Sequence, residues 1–257
     1  MGIPVQGAAR AARAGWQAAL HLVYPPQCLT CDAAVASDFG LCGACWRDTP
    51  FLGGLVCDAC GLPLPGEDPG GPVHCDDCLA ARPAWGRGRA AMLYRDNARR
   101  IVLALKHGDR HDMARAAAPW LARAARPLIV PDLLVAPVPL HWTRLLARRY
   151  NQAALLSAGL ARLARLEHCP DLLVRRRSTR TQDGRSRAGR FANMEGALAL
   201  HPRRAARLGG RAVLIVDDVM TSGATLHAAA GACLDGGARS VAVLALARVA
   251  KDGWAAI

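Results

Sequence analysis

Two adjacent acids followed by a short polar loop are the residues of this sequence best suited to chemistry. Asp217 and Asp218 end a hydrophobic run, and Thr221–Thr225 supplies three hydroxyl groups and a glycine before an Ala-rich stretch. Backbone N–H groups at the start of a helix attract anions, and paired carboxylates suit ribose hydroxyls or a magnesium ion shared with them. The pattern predicts a site for a sugar phosphate. The simpler interpretation is a solvated acid pair beside a capped turn.

Eight of the ten cysteines form four C-x-x-C pairs. Each such turn directs two thiolates at one centre, and two turns complete the tetrahedral sulfur shell that zinc favours. We therefore expect two structural Zn²⁺ ions. The predicted ligands are Cys28, Cys31, Cys42, Cys45, Cys57, Cys60, Cys75 and Cys78.

The cysteines also allow other interpretations. Disulfides require an oxidising compartment, a redox protein needs a single reactive pair, and an iron–sulfur cluster uses the same ligands. The turns could pair sequentially or in a cross-braced order, and His74 is a competing ligand next to Cys75. Cys169 and Cys233 stand alone in apolar segments, which predicts packing residues.

Arginines cluster in two further segments. The segment Ala136–Gln152 follows an apolar run and contains Arg144, Arg148 and Arg149, whose guanidinium forks match phosphate oxygens. It is also consistent with an amphipathic helix that carries solvated arginines. The segment Arg175–Arg190 contains seven arginines and predicts a loop that closes over a ligand, a disordered basic loop, or one that binds nucleic acid.

After residue 86, strand and helix patterns alternate, which predicts a mostly parallel sheet with ligands at the carboxyl ends of its strands. The predicted strands are Ala90–Tyr94, Leu133–Val138, Leu172–Val174, Ala212–Val216 and Val241–Leu246. The predicted helices are Asn97–Lys106, Asp112–Arg126, Trp142–Leu166 with a break near Tyr150–Asn151, and Ala224–Leu234.

Composition and charge set the broad class of the protein. The 257 residues are 52% hydrophobic and 21% charged, as in a globular protein. Every apolar run is shorter than the ~18–20 residues of a spanning helix, and the start of the chain predicts a docked amphipathic helix, so we expect no membrane span and a cytoplasmic protein. Residues 1–85 carry four basic and eight acidic residues, whereas residues 86–257 carry 29 and 12. Such a basic half attracts polyphosphates or nucleic acid, although the abundance of arginine also fits a GC-rich genome.

The order of the motifs resembles the ComF family, which is associated with natural competence. The C-x-x-C pairs are followed by LKHGDR, PVPLHWTRLLARRYNQ, TRTQ and VDDVMTSGAT, which begin at Leu105, Pro137, Thr179 and Val216. In addition, Val213–Thr225 is similar to the signature by which type I phosphoribosyltransferases bind phosphoribosyl diphosphate (PRPP). The resemblance covers about Leu22 to Val249.

The resemblance implies an α/β fold, a type I phosphoribosyltransferase-like mostly parallel sheet with helices on both faces, joined to a small amino-terminal double zinc ribbon. The predicted domains are an amino-terminal helix at 1–23, the double zinc ribbon at 24–85 and the phosphoribosyltransferase-like domain at 86–257.

The resemblance also implies a site for Mg²⁺ and PRPP, with Asp217 and Asp218 as the catalytic pair. The loop that begins near Leu140 would hold the pyrophosphate. Lys106 is either a further phosphate ligand or a surface lysine. The implied PRPP-binding residues are Asp217, Asp218, Val219, Met220, Thr221, Ser222, Gly223, Ala224, Thr225, Leu140, His141 and Arg144.

Three functions are compatible with these motifs. The first is transfer of a phosphoribosyl group from PRPP with release of pyrophosphate. The second is handling of single-stranded DNA, in contact with the DNA-uptake machinery. The third is a regulator that senses PRPP without reacting it. The scarcity of aromatic residues, which make up 5% of the chain, argues modestly against base stacking in the second.

Overall fold

A computed structural model describes Trp16 and residues 24–107, 110–177 and 186–250, with only the backbone at 107, 144, 147 and 148. Apart from Trp16, the predicted amino-terminal helix lies outside the described residues, as do 178–185 of the arginine-rich segment. The chain divides into two compact units, Met1–Asp48 and Thr49–Ile257. The second set of four cysteines thus shares a unit with the sheet, while the domain boundaries given above stay a prediction.

The strands of the described residues fall in the second unit. In chain order they are β1 (Arg87–Leu93), β2 (Leu134–Pro137), β3 (Glu167–His168), β4 (Leu173–Arg175), β5 (Leu198–Leu200), β6 (Ala212–Met220) and β7 (Ser240–Arg248).

The described helices are short, and the longest has 15 residues. In chain order they are α1 (Gly43–Arg47), α2 (Asp76–Ala80), α3 (Asp96–His107), α4 (His111–Ala125), α5 (Trp142–Arg148), α6 (Gln152–Ala164), α7 (Arg187–Met194) and α8 (Ala224–Asp235). Every one falls short of what a membrane crossing requires in length and hydrophobicity.

Five strands form one sheet in the order β1-β7-β6-β2-β3, and every neighbouring pair is parallel. Val213 and Ile215 of β6 pack in one core with Leu226 of α8. The alternate residues Leu214 and Val216 are fully buried as well, so the sheet is covered on both sides. The predicted fold, a mostly parallel sheet with flanking helices, is confirmed.

The structure differs from the sequence predictions in several elements. β6 continues through Met220 because its ladder with β7 extends to the pair Met220 and Arg248. β4 pairs antiparallel with β5 in a separate two-stranded sheet, and β5 was not predicted because three residues carry too little periodicity. The helical segment after β2 divides into α5 and α6 near the predicted break, where Arg149 has a left-handed φ of 63°.

Candidate functional site

The polar loop, defined here as Thr221–Thr225, runs from the carboxyl end of β6 into the first residues of α8. Gly223 is the N-cap residue of α8, and its carbonyl accepts the first helical hydrogen bond from His227 N at 2.8 Å. The hydroxyl of Ser222 accepts from Ala224 N at 3.4 Å. The loop therefore places half-buried hydroxyl groups beside the amino terminus of a 12-residue helix, an arrangement that can hold a phosphate.

Glycine is required at position 223 for two reasons. Its φ of +79° lies in the left-handed region, and a Cβ atom there would be 3.0 Å from Cη2 of Trp85. A side chain would thus be strained and would press on a buried ring. Trp85 was absent from the predicted site because it lies 138 positions before Gly223 in the chain.

The two acids lie at the end of β6, next to the polar loop. The backbone N–H of Asp218 donates to Oδ1 of Asp217 at 2.9 Å, and Nζ of Lys106 lies 3.4 Å from Oδ2 of Asp218. Both acids retain some exposure to solvent. They can therefore accept hydrogen bonds from ligand hydroxyls or share a hard cation.

The electrostatics of the pair favour a proton on Asp217. Burial in a densely packed part of the site, together with the neighbouring Asp218 carboxylate, raises the pKa of Asp217 to about 8. The positive charges of Lys106 and Arg175 oppose this rise. Two carboxylates this close do not both ionise readily, so a cation or hydroxyl donor that binds here would relieve their repulsion.

Lys106 is placed by contacts around the end of α3. The hydroxyl of Tyr150 donates to the carbonyl of Leu105 at 2.6 Å, and the Tyr150 ring makes an edge contact with His111, with 4.3 Å between centroids. These contacts hold the end of α3 so that Lys106, whose role the sequence left open, lies next to the acid pair. Arg175, at the end of β4, is a second cation that the predicted site omitted.

The segment after β2 reaches the same edge of the sheet. Val138 N donates to Val216 O at 2.9 Å, which places Leu140 and His141 beyond the carboxyl ends of adjacent strands. His141 is 8% exposed and caps α5, with its Nδ1 accepting from Thr143 N at 3.4 Å. The predicted Leu140–His141 segment thus lies on the side of the sheet where β6 presents its acids, and the Arg144 side chain lies outside the described residues.

The eight paired cysteines form two groups, and each group joins sequential C-x-x-C turns. One contains Cys28, Cys31, Cys42 and Cys45; the other contains Cys57, Cys60, Cys75 and Cys78. Within each group the Sγ atoms lie within 4.8 Å of one another, and the Cys60–Cys75 and Cys31–Cys42 pairs are 3.7 Å and 3.6 Å apart. Four sulfurs bound about 2.3 Å from a tetrahedral zinc are about 3.8 Å apart. Both groups fit structural zinc.

The second cysteine group packs on β1. The Asp58 carboxylate pairs with Arg89 at 2.5 Å and with Arg87 at 3.1 Å. The backbone carbonyl of Asp58 accepts a hydrogen bond from Gly88 N at 2.8 Å. Gly61 is needed because its φ is +69° and a Cβ there would lie 2.8 Å from Ala90 N. The zinc turn Cys57–Cys60 is therefore fixed to the sheet.

The two remaining cysteines are buried and free. Burial raises the pKa of the Cys233 thiol to about 12 and also raises that of Cys169. A thiol held protonated is a poor nucleophile, in agreement with the packing role predicted for both residues.

Comparison with known proteins identifies relatives along most of the chain. A double zinc ribbon domain matches residues 19–79. The DNA utilization protein YhgH of Escherichia coli is 31% identical over 234 residues, covering 88% of this chain and 99% of that protein. The Salmonella typhi protein of the same name is 33% identical with the same coverage. Competence protein F of Haemophilus influenzae is 29% identical, over 81% of this chain and 90% of its own length.

Solved structures give weaker similarity. The allosteric regulatory enzyme of purine biosynthesis aligns with a TM-score of 0.38 and 19% identity, over 56% of this chain and 30% of the other. The protein TT1426 of Thermus thermophilus aligns with a TM-score of 0.34 and 21% identity, over 55% and 86%. The family assignment therefore rests on the sequence relatives. With similarity along nearly the whole length of these proteins and a double zinc ribbon at its amino end, the chain belongs to the ComF family.

Proposed function

We propose that this protein binds Mg²⁺-PRPP at the end of β6 and acts in the use of DNA taken up by the cell. The observation that carries the proposal is the acid pair Asp217 and Asp218 directly before the polar loop, at the carboxyl edge of a parallel sheet. The names of the relatives, which refer to DNA utilization and competence, supply the biological context.

Each part of the ligand has a complementary part of the site. The polar loop and the amino terminus of α8 would hold the 5-phosphate, and the acid pair would hold the ribose hydroxyls. Mg²⁺ would neutralise the charge of the diphosphate, held by the ligand and by Asp217 and Asp218. The Leu140–His141 segment would face the diphosphate, with Lys106 as an additional cation.

Isothermal titration calorimetry with Mg²⁺-PRPP tests the binding step. Wild-type protein should bind, and Asp217→Asn or Asp218→Asn should weaken binding at least about tenfold, because each removes a carboxyl group that can ionise to bind the cation and the ligand hydroxyls. Asp235→Asn is the matched control, since this exposed acid ends α8, roughly 16 Å along the helix from its first residue. The control should bind like wild type.

Absent binding by wild type, or unchanged binding by both site variants, would refute the proposal. Titration with ribose 5-phosphate under the same conditions shows how much affinity the diphosphate contributes. A preference for PRPP is expected if Mg²⁺ and the diphosphate are recognised.

Phosphoribosyl transfer is the reaction that such a site would support. The bond from ribose C1 to the diphosphate breaks with its electron pair on the leaving pyrophosphate, and a lone pair of the acceptor forms the new bond as the acceptor proton passes to water. Pyrophosphate release that depends on an added base or amine supports transfer. Binding without such release identifies a PRPP sensor.

A further inference from the structure

The zinc turn Cys57–Cys60 lies directly next to the polar loop. Trp85 is 7% exposed, and its indole N–H donates to the carbonyl of Ala59 at 2.6 Å, between the two cysteines of the turn. The other ring of the indole faces Gly223, since a Cβ atom added there would lie 3.0 Å from Cη2 of Trp85. One rigid side chain thus spans from the zinc turn to the N-cap of α8.

Arg248 makes a second connection between the same two places. It ends β7 and is 9% exposed. Its Nη1 donates to the carbonyls of Met220 at 3.1 Å and Thr221 at 2.5 Å, which are the last residue of β6 and the first residue of the polar loop. Its Nη2 lies 4.0 Å from Sγ of Cys60.

The charge of Arg248 also fits this position. A zinc ion with four thiolates carries a net charge of −2, and a buried guanidinium needs a counter-charge nearby. Because Nη1 of Arg248 donates to backbone carbonyls while Nη2 lies beside Cys60, the side chain holds the start of the polar loop against the second cysteine group.

The metal is needed to hold the turn itself. The spacing of the four cysteine sulfurs in small zinc modules is maintained by the ion, and metal binding supplies much of their folding energy. If the ion is lost, the carbonyl of Ala59 and the sulfur of Cys60 lose their fixed positions. Trp85 and Arg248 would transmit this change to Thr221–Thr225.

We propose that the second zinc centre (Cys57, Cys60, Cys75 and Cys78) positions the polar loop for ligand binding, with Trp85 and Arg248 as the positioning residues. Zinc in this centre is therefore part of the ligand site and not only of the ribbon. The inference builds on the proposed function, since the ligand in question is Mg²⁺-PRPP.

The first cysteine group provides a matched control. It belongs to the unit Met1–Asp48, whereas the second group and the polar loop belong to Thr49–Ile257. Cys31→Ser and Cys78→Ser each remove one ligand of one zinc. The two variants should each contain about one zinc per chain if both centres use four cysteines.

The experiment combines zinc analysis, amide hydrogen exchange and calorimetry on the full-length protein. Cys78→Ser should speed exchange in Thr221–Thr225 by about tenfold or more and weaken Mg²⁺-PRPP binding by about tenfold or more. Cys31→Ser should match wild type in both. Equal behaviour of the two variants would overturn the proposal.

Arg248→Met tests the connection without touching a zinc ligand. It should retain about two zinc ions yet show faster exchange in the polar loop and weaker ligand binding. Its control is Arg239→Met, an exposed arginine just before β7, which should match wild type. Wild-type exchange and affinity in Arg248→Met would contradict the proposal, even if Cys78→Ser fails to fold.

The two proposals can fail separately. If wild type does not bind Mg²⁺-PRPP, the proposed function is wrong, but the exchange measurements on Arg248→Met still test whether the zinc centre orders the loop. If wild type binds Mg²⁺-PRPP but Arg248→Met and Cys78→Ser leave amide exchange in the polar loop and ligand affinity unchanged, only this inference is wrong.

Discussion

Asp217 is the residue whose environment departs furthest from the ordinary among the described acids. Its pKa rises from an ordinary value of 3.8 to about 8 because of burial and of the adjacent Asp218 carboxylate. Lys106 pairs with Asp218 at 3.4 Å and offsets part of the negative charge. At neutral pH the pair is therefore poised to exchange a proton for a bound cation or a hydroxyl donor.

This predicts that ligand binding depends on pH through Asp217. Mg²⁺-PRPP affinity should rise by up to about tenfold per pH unit from about pH 6 to pH 8 and level off above, since binding must displace one proton. Calorimetry across this range, repeated in buffers of different ionisation enthalpy, measures the proton released.

Asp217→Asn supplies the background due to ionisation of the ligand itself. The same slope in the variant and in wild type would show that Asp217 does not carry the linked proton.

The raised pKa of Asp217 affects folding stability in the opposite direction to ligand affinity. Its contribution to the stability of the fold is complete below about pH 4 and is lost as pH rises through about 8.

At the scale of elements, the site depends on how β6 passes into α8. The strand ends in acids, and the helix begins at a left-handed glycine. The loop between them is short, so any change in the entry angle of α8 moves the hydroxyls of Thr221 and Thr225 relative to the acid pair. The Trp85 ring, which packs against Gly223, limits that movement.

Gly223→Ala should therefore impair both stability and binding. The left-handed φ of +79° and the contact with Trp85 predict a loss of about 1–2 kcal/mol, or a melting temperature lower by about 3–6 °C. Ligand affinity should fall about tenfold. Differential scanning calorimetry and titration measure the two effects.

Gly231→Ala is the matched control within α8. A Cβ there meets nothing within 4 Å, and alanine favours a helix interior by about 0.5–1 kcal/mol over glycine. This variant should melt slightly higher and bind normally. A Gly223→Ala variant that behaves like Gly231→Ala would show that the loop tolerates a side chain.

The whole molecule has an uneven charge. The 29 basic residues between 86 and 257 outnumber 12 acids, so a large positive excess persists after local pairs such as Arg204 with Asp171 form. An excess of this kind attracts single-stranded nucleic acid without sequence preference. A second candidate function, handling of single-stranded DNA, is a proposal that rests on this charge.

If the protein binds single-stranded DNA through this charge, affinity should fall steeply with salt. The slope of log K against log salt concentration is about −0.7 per phosphate neutralised, and fluorescence anisotropy of a labelled oligonucleotide measures it. Saturating Mg²⁺-PRPP should leave binding intact if the strand avoids the ligand site. Undetectable or salt-independent binding would exclude this mode.

Some of the fold and site could be predicted because the signals are continuous in the chain. Strands such as Ala212–Val216 are apolar runs, as expected for strands buried on both faces. Short strands such as Leu198–Leu200 carried no such signal, and the antiparallel pairing of β4 with β5 depends on contacts rather than on local pattern.

The sequence by itself determined the zinc ligands, the acid pair and the polar loop, since each group is set by spacing within one turn or one strand–loop–helix connection. The tertiary structure alone decided what surrounds them. Lys106 pairs with Asp218. Arg248 joins the polar loop to Cys60, which lies 188 positions earlier in the chain than Arg248. These contacts follow from the strand order β1-β7-β6, which brings distant segments together and which no local periodicity encodes.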